Sequence, residues 1–184
     1  MNSLRQFYYM RAVVAFAWVA LVVLVSNLGA PPVVGYALLL LYPAWDALAN
    51  LIDAGRNGGL AKNPGQRLNL IVSLVTVVAL AIALASKGNA GGLLVFGVWA
   101  LLSGALQLFV GIQRRKLGGQ VFMMISGGQS VLAGVFMAMQ AFGDAPTIDK
   151  LAPYAAFGGF YFLLAALRLT FRREPALKAG RLAR

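Results

Sequence analysis

The sequence predicts an all-α integral membrane protein with six transmembrane helices arranged as three helical hairpins. Two features of the composition predict this class: 60% of the 184 residues are hydrophobic, and only 11% are charged. Soluble domains carry about 25% charged residues and about 45–50% apolar ones, so a soluble globular fold is excluded. The third observation is a series of long charge-free runs, each long enough to cross a bilayer as a helix.

The spans follow from the apolar runs and from the breaks between them. A bilayer core of about 30 Å needs about 20 apolar residues in a helix. The first run covers residues 12–45, enough for two spans, and the GAPP stretch at residues 29–32 divides it. Prolines at or just before the starts of the second, third and sixth helices suit positions that need no N–H. The predicted spans, in a single domain of residues 1–184, are residues 9–28, 33–52, 68–86, 92–112, 120–142 and 153–171.

Lys and Arg residues fall almost entirely on one side of this arrangement. Only Lys87 and Lys150 lie in connections on the opposite side. Because cytoplasmic loops carry the positive excess, both termini are predicted to be cytoplasmic, including a basic tail at residues 172–184. The N-terminal segment is expected to remain as the first span, because its apolar run is long for a signal peptide and contains Trp18.

The residue types present exclude several function classes. The net charge of +11 follows from the topology, and so apolar a chain is not expected to bind nucleic acid. The chain has no cysteine and no histidine, which removes disulfides, thiol catalysis and the common zinc sites. No Walker-type loop or nucleophile elbow occurs. We therefore expect no enzyme activity, cofactor or metal. The expected partners are the bilayer and, for the tail, anionic lipid head groups; a homo-oligomer is also compatible with the sequence.

Small residues recur in a pattern typical of packed membrane helices. A shift of 61 residues aligns residues 97–108 with 158–169 at five of twelve positions, which is compatible with a threefold repeat of hairpins around an axis along the membrane normal. Helices in membranes associate by close backbone approach at small residues, and a seven-residue spacing keeps them on one face. We interpret them as packing positions, the alternative being a glycine-lined path or hinge. The glycines are Gly97, Gly104, Gly111, Gly127, Gly134 and Gly158.

Asp46 is the intramembrane residue that most needs a partner. An ionised aspartate at the centre of a span costs about 2.5–3.5 kcal/mol. Gln107 and Arg168 lie at equivalent depth, and Arg11 at the start of the first helix is a competing partner. We predict that Asp46 pairs with Arg11 or Arg168 and fixes helix register; the functional alternative is a proton- or cation-binding carboxylate. Gln129, in mid-span, is predicted to bond between helices, the alternative being contact with a polar ligand.

Three stretches carry a resemblance to a known family: YPAWDALAN at 42–50, FGVWALLSG at 96–104 and GGQVFMMISGGQSVLAG at 118–134. There the chain resembles the HdeD-like family of bacterial inner-membrane proteins, built from short repeats known as domain of unknown function 308. The resemblance runs from about 33 to 171 and implies the bacterial inner membrane and a role in acid or envelope stress tolerance. It brings no catalytic or binding residues.

Two function classes follow from the sequence. The first is a non-enzymatic membrane protein that serves stress tolerance. The second is a small proton- or cation-linked transporter or channel, whose path would be lined by Asp46, Gln107, Gln129 and Arg168. Tight glycine packing leaves little room for a solute cavity in a single chain, which weighs against the second class.

Overall fold

The computed structural model describes residues 2–113 and 121–171. The predicted all-α class is confirmed for these residues. At the predicted break, Gly29 has a left-handed φ of 59° and Pro32 opens the next helix. The elements are α1 (Asn2–Asn27), α2 (Pro32–Arg56), α3 (Pro64–Gln113), α4 (Val121–Gln140), a short 3-10 helix (Ile148–Leu151) and α5 (Ala152–Phe171).

Several helices are suited to a bilayer by length and by surface. In the part of the chain that the structure describes, four stretches are long and apolar enough to cross a membrane: Leu4–Asn27, Pro32–Arg56, Pro64–Phe109 and Ile148–Phe171. Large apolar side chains also cover the outside of the bundle, among them Leu132, Phe136 and Phe142. Such a surface is unfavourable in water but matches lipid tails, which are as apolar as leucine. The described helices are therefore compatible with a helical membrane protein.

α3 is a hairpin of two arms rather than one straight rod. Its backbone leaves the helical conformation at Gly88 (φ 55°, ψ −139°), a conformation that glycine adopts without steric cost. The Trp99 indole donates to the Ser73 hydroxyl at 3.2 Å across 26 residues, which a straight helix would hold about 39 Å apart. The first arm (residues 64–87) and the second arm (residues 89–113) therefore lie side by side.

This turn differs from the loop expected between the third and fourth spans, because one glycine reverses the chain without further loop residues. With both arms counted, the described residues form six helical rods. That all six cross a bilayer, in the orientation set by the basic residues, stays a prediction. The basic tail at 172–184 lies outside the described residues.

Four glycines join the second arm of α3 to α4 in a reciprocal antiparallel seam. A Cβ on Gly97 would lie 2.7 Å from the Gly134 carbonyl oxygen, and one on Gly134 would lie 2.6 Å from that of Gly97. Gly104 and Gly127 repeat the relation at 2.7 and 2.8 Å. Because real Cβ atoms essentially never approach within 3.0 Å, the two backbones touch where only glycine fits. Gly111, one further repeat along the second arm, is buried.

α1 and α5 pack against each other in opposite directions. The hydroxyls of Tyr9 and Thr170 are 3.0 Å apart, so the start of α1 and the end of α5 lie at the same end of the bundle. The close approach between these helices is at Gly159, where a Cβ would lie 3.1 Å from that of Ala15. At Gly158, named from the sequence, a Cβ would make an ordinary contact of 3.6 Å with the Tyr42 hydroxyl.

An aromatic cluster occupies the centre of the bundle. Its rings come from α1, α2, the second arm of α3 and α5, and their neighbouring centroids are between 4.7 and 6.4 Å apart. Tilted and edge-to-face pairs at such distances add to the effect of burial. The cluster therefore joins four of the six rods. Its members are Trp18, Tyr42, Phe96, Trp99 and Tyr154.

Adjacent glycines in α4 provide a matched test of the seam. Gly127→Ala would place its Cβ 2.7 Å from the Leu108 nitrogen, whereas a Cβ on Gly128 meets nothing within 4 Å. We expect Gly127→Ala to lower the free energy of unfolding by about 1–3 kcal/mol through overpacking. Gly128→Ala should leave it unchanged or raise it slightly, because alanine favours helix. Thermal unfolding in detergent measures both, and equal effects of the two substitutions would contradict the seam.

Candidate functional site

The Asp46 carboxylate is bound by three donors from three different rods. Arg11 Nη2 donates to Oδ1 at 2.5 Å, while Asn50 Nδ2 and Ser73 Oγ each donate to Oδ2 at 3.0 Å. The side chains of Arg11 and Asp46 are each 18% exposed, so the ion pair is largely removed from solvent. A carboxylate has about four acceptor positions, and the protein itself fills three of them here.

Local helix geometry and the α3 hairpin bring these donors together. Asn50 lies four residues after Asp46 and so shares its face of α2; its amide also donates to the Asp46 backbone carbonyl at 2.8 Å. Ser73, on the first arm of α3, is fully buried. Its hydroxyl donates to Asp46 and accepts the Trp99 indole N–H from the second arm. One hydroxyl therefore connects both arms to the ion pair.

Aromatic rings surround the other side of the Arg11 guanidinium. Its Cζ lies 4.1 Å from the centroid of the Phe162 ring on α5 and 6.0 Å from that of Phe7. A cation over an aromatic face gains about 0.5–2 kcal/mol, the larger value where water is excluded. Arg11 Nε is buried and has no hydrogen-bond partner among the described residues. The charge is thus held between a carboxylate and an aromatic face.

The structure distinguishes the two partners that the sequence left open for Asp46. The ion pair is formed with Arg11. Arg168 is exposed near the end of α5, and Gln107 is half-buried on the second arm of α3; the donors described above include neither. Equal depth does not imply contact, because the rotation of each helix about its axis decides which side chains face Asp46.

Gln129 belongs to a separate polar contact between α4 and α5. Its side-chain oxygen accepts a hydrogen bond from the Tyr161 hydroxyl at 2.7 Å. Gln129 therefore joins two helices and stands apart from the donors to Asp46.

Four residues of the site were not identified from the sequence: Asn50, Ser73, Trp99 and Phe162. The spacing of Asn50 from Asp46 is a signal that could have identified it, since side chains four apart on a helix are neighbours. Ser73 and Trp99 carry no such signal, because their contacts depend on where the α3 hairpin turns and how its arms rotate.

No family model, curated protein or solved structure matches the chain. Within residues 2–113 and 121–171, no group of three or more His, Cys, Asp or Glu side chains could hold a metal ion. The Asp46 site holds two opposite charges together between helices, and an incoming cation would be repelled by the Arg11 charge at Oδ1.

A double-mutant cycle tests the ion pair. Asp46→Asn should lower the free energy of unfolding by about 3 kcal/mol, because it leaves the Arg11 charge unpaired in a poorly solvated site. Arg11→Met should have a similar effect by stranding the carboxylate. The double variant should be milder than the sum of the two, since it leaves no unpaired charge.

The matched control combines Asp46→Asn with Arg168→Met, for which we expect additive losses. Thermal or denaturant unfolding in a single detergent measures both cycles. Additive losses in the Arg11 cycle, or coupling confined to Arg168, would show that the observed pair does not stabilise the fold.

Proposed function

We propose that the chain is a multi-pass protein of the bacterial inner membrane in which all six rods cross the bilayer, with both termini in the cytoplasm. The contact between Tyr9 and Thr170 supports placing both chain ends on one side. The described residues at that end carry six basic side chains and two acidic ones, Asp46 and Asp53; the opposite end carries two of each sign. Such an excess is typical of the cytoplasmic side. The six basic residues are Arg5, Arg11, Arg56, Lys62, Arg67 and Arg168.

We further propose that the chain is related to the HdeD-like family and that its three hairpins derive from one repeated unit. On this proposal it is a non-enzymatic protein that supports tolerance of acid or envelope stress. Its partners would be the bilayer, anionic head groups at the tail of residues 172–184, and further copies of the chain. It would act through the packing of its helices and through its surface, without catalysing a reaction.

The hydrogen bonding of Asp46 is the observation that favours a non-transport role over a carrier. A proton- or cation-linked carrier needs a carboxylate that is open to its cargo. Here Arg11 occupies one carboxylate oxygen, and Asn50 and Ser73 occupy the other. Because these donors belong to the bundle itself, the arrangement favours a packing role for Asp46 over a transport role.

Labelling of single cysteines tests the topology, since the chain has no cysteine of its own. Lys62 and Lys87 are exposed and lie near opposite ends of the first arm of α3. In intact spheroplasts, a membrane-impermeant maleimide should label Lys87→Cys, whereas Lys62→Cys should react only after lysis. Labelling of both positions from the same side would mean that this arm does not cross the bilayer.

Flux in proteoliposomes separates the structural role from transport. With internal pH or cation concentration read by a trapped dye, wild type and Asp46→Asn should both match empty liposomes. The comparison is valid once circular dichroism shows both proteins to be folded. Flux through wild type that disappears in Asp46→Asn would overturn the proposal in favour of a carrier.

A deletion strain tests the stress role. Loss of the gene should reduce survival after a shift to acidic medium, and the wild-type gene should restore it. Survival that is the same with and without the gene, both under acid and under agents that damage the envelope, would refute this role.

A further inference from the structure

We propose that the α2–α3 connection and the first arm of α3 form a binding surface for an anionic phospholipid. Its phosphate would lie at Lys62 and Arg67, and an acyl chain would lie along the exposed face of the arm. The inference rests on the proposed orientation, in which this connection is at the cytoplasmic surface. It is independent of the stress role and of the basic tail.

Hydrogen bonds within the α2–α3 connection define its conformation. The Asn63 amide donates to the carbonyls of Asn57 and Gly59, both at 2.8 Å. Gly59 N–H also donates back to the Ala54 carbonyl at 2.7 Å. Gly58 has a φ of 90°, and the Lys62 stem lies against it, with Cδ 3.1 Å from where a Cβ would be. The Lys62 stem therefore lies beside the loop backbone at Gly58.

Asp53, the acid that precedes this connection on α2, accepts hydrogen bonds from two side-chain amides. The donors are the amides of Asn57 at 3.1 Å and Gln66 at 2.9 Å. One amide donates to each oxygen of the carboxylate. Lys62 and Arg67 are both exposed, and Arg67 lies in the first turn of α3. In the proposed orientation, two positive charges therefore lie at the depth of the phospholipid head groups.

An apolar stripe begins directly after Arg67. Its side chains are 44–66% exposed and are spaced three and four residues apart, which places them on one face of the helix. The stripe is about 21 Å long, longer than the roughly 15 Å depth of one leaflet's hydrocarbon. A lipid with its phosphate at Arg67 would thus find apolar contact along its acyl chain. The stripe consists of Leu68, Ile71, Val75, Val78 and Ile82.

Charge favours a lipid over a second copy of the chain on this face. Two copies related by an axis along the membrane normal would bring Lys62 and Arg67 of both chains to the same level. These like charges would repel each other, whereas an anionic head group neutralises them. Each basic residue near an anionic surface strengthens binding about fivefold.

Native mass spectrometry from detergent micelles tests the proposal, with phosphatidylglycerol as the probe and phosphatidylcholine as the uncharged reference. The wild-type protein should bind phosphatidylglycerol more tightly than phosphatidylcholine. The double variant Lys62→Gln/Arg67→Gln should bind it about 25-fold more weakly, from two losses of about fivefold each. Binding of phosphatidylcholine should not change.

Three controls make the result specific. Lys87→Gln removes a charge from the opposite end of the same arm and should leave the preference intact. Deletion of residues 172–184 should also leave it largely intact, which separates this surface from the tail. Soluble glycerol phosphate should compete poorly, because it lacks the acyl chain. Equal melting temperatures of the variants show that the fold is retained.

A preference that persists in the double variant, or that disappears on deletion of the tail alone, would overturn the proposal. Equal competition by glycerol phosphate would also overturn it, because it would indicate a site for free phosphate. The same holds if the double variant shows a stronger signal at the mass of a dimer and no change in lipid binding. Failure of lipid binding leaves the maleimide labelling unchanged, so the two proposals can fail separately.

Discussion

Opposite charges inside an apolar bundle stabilise it only while they remain together, because either one alone is left in a medium that solvates it poorly. Arg11 and Asp46 place this constraint on α1 and α2. Through Ser73 and Trp99 it extends to both arms of α3, and the Phe162 ring extends it to α5. Five of the six rods therefore depend on one small network for their register. A slide or rotation of any of them would break a bond that water is poorly placed to replace.

α4 is held on a different physical basis. Its seam with α3 consists of paired glycines, such as Gly97 with Gly134, where two backbones touch without intervening side chains. In lipid, where helices gain no hydrophobic drive to associate, such close contact supplies dispersion and weak Cα–H···O attraction. The Gln129–Tyr161 bond then joins α4 to α5. Charge therefore sets the register of the five other rods, whereas close fit between backbones sets the interface of α3 with α4.

The properties that follow from position along the chain could be predicted from the sequence. Apolar runs located the helical segments, and the seven-residue spacing identified the glycines of the α3–α4 seam as packing positions. Which helices would meet at them was not predicted. Rotation about a helix axis has no comparable signal. The sequence could not choose Arg11 over Arg168, and it did not identify Gly159, which makes the close approach to α1. The α3 turn was also expected to be longer, since a reversal by Gly88 alone needs the packed arms to hold it.

The single-residue turn at Gly88 has a consequence for biogenesis. If both arms cross the bilayer, almost no hydrophilic segment is exported between them, and the pair would enter the membrane as one preformed hairpin. Until Trp99 has been synthesised, the Ser73 hydroxyl on the first arm lacks the indole N–H that it accepts in the finished protein. The second arm therefore completes the bonding of the first. Before the second arm is in place, the Ser73 hydroxyl can donate to Asp46 on α2 but accepts no indole N–H.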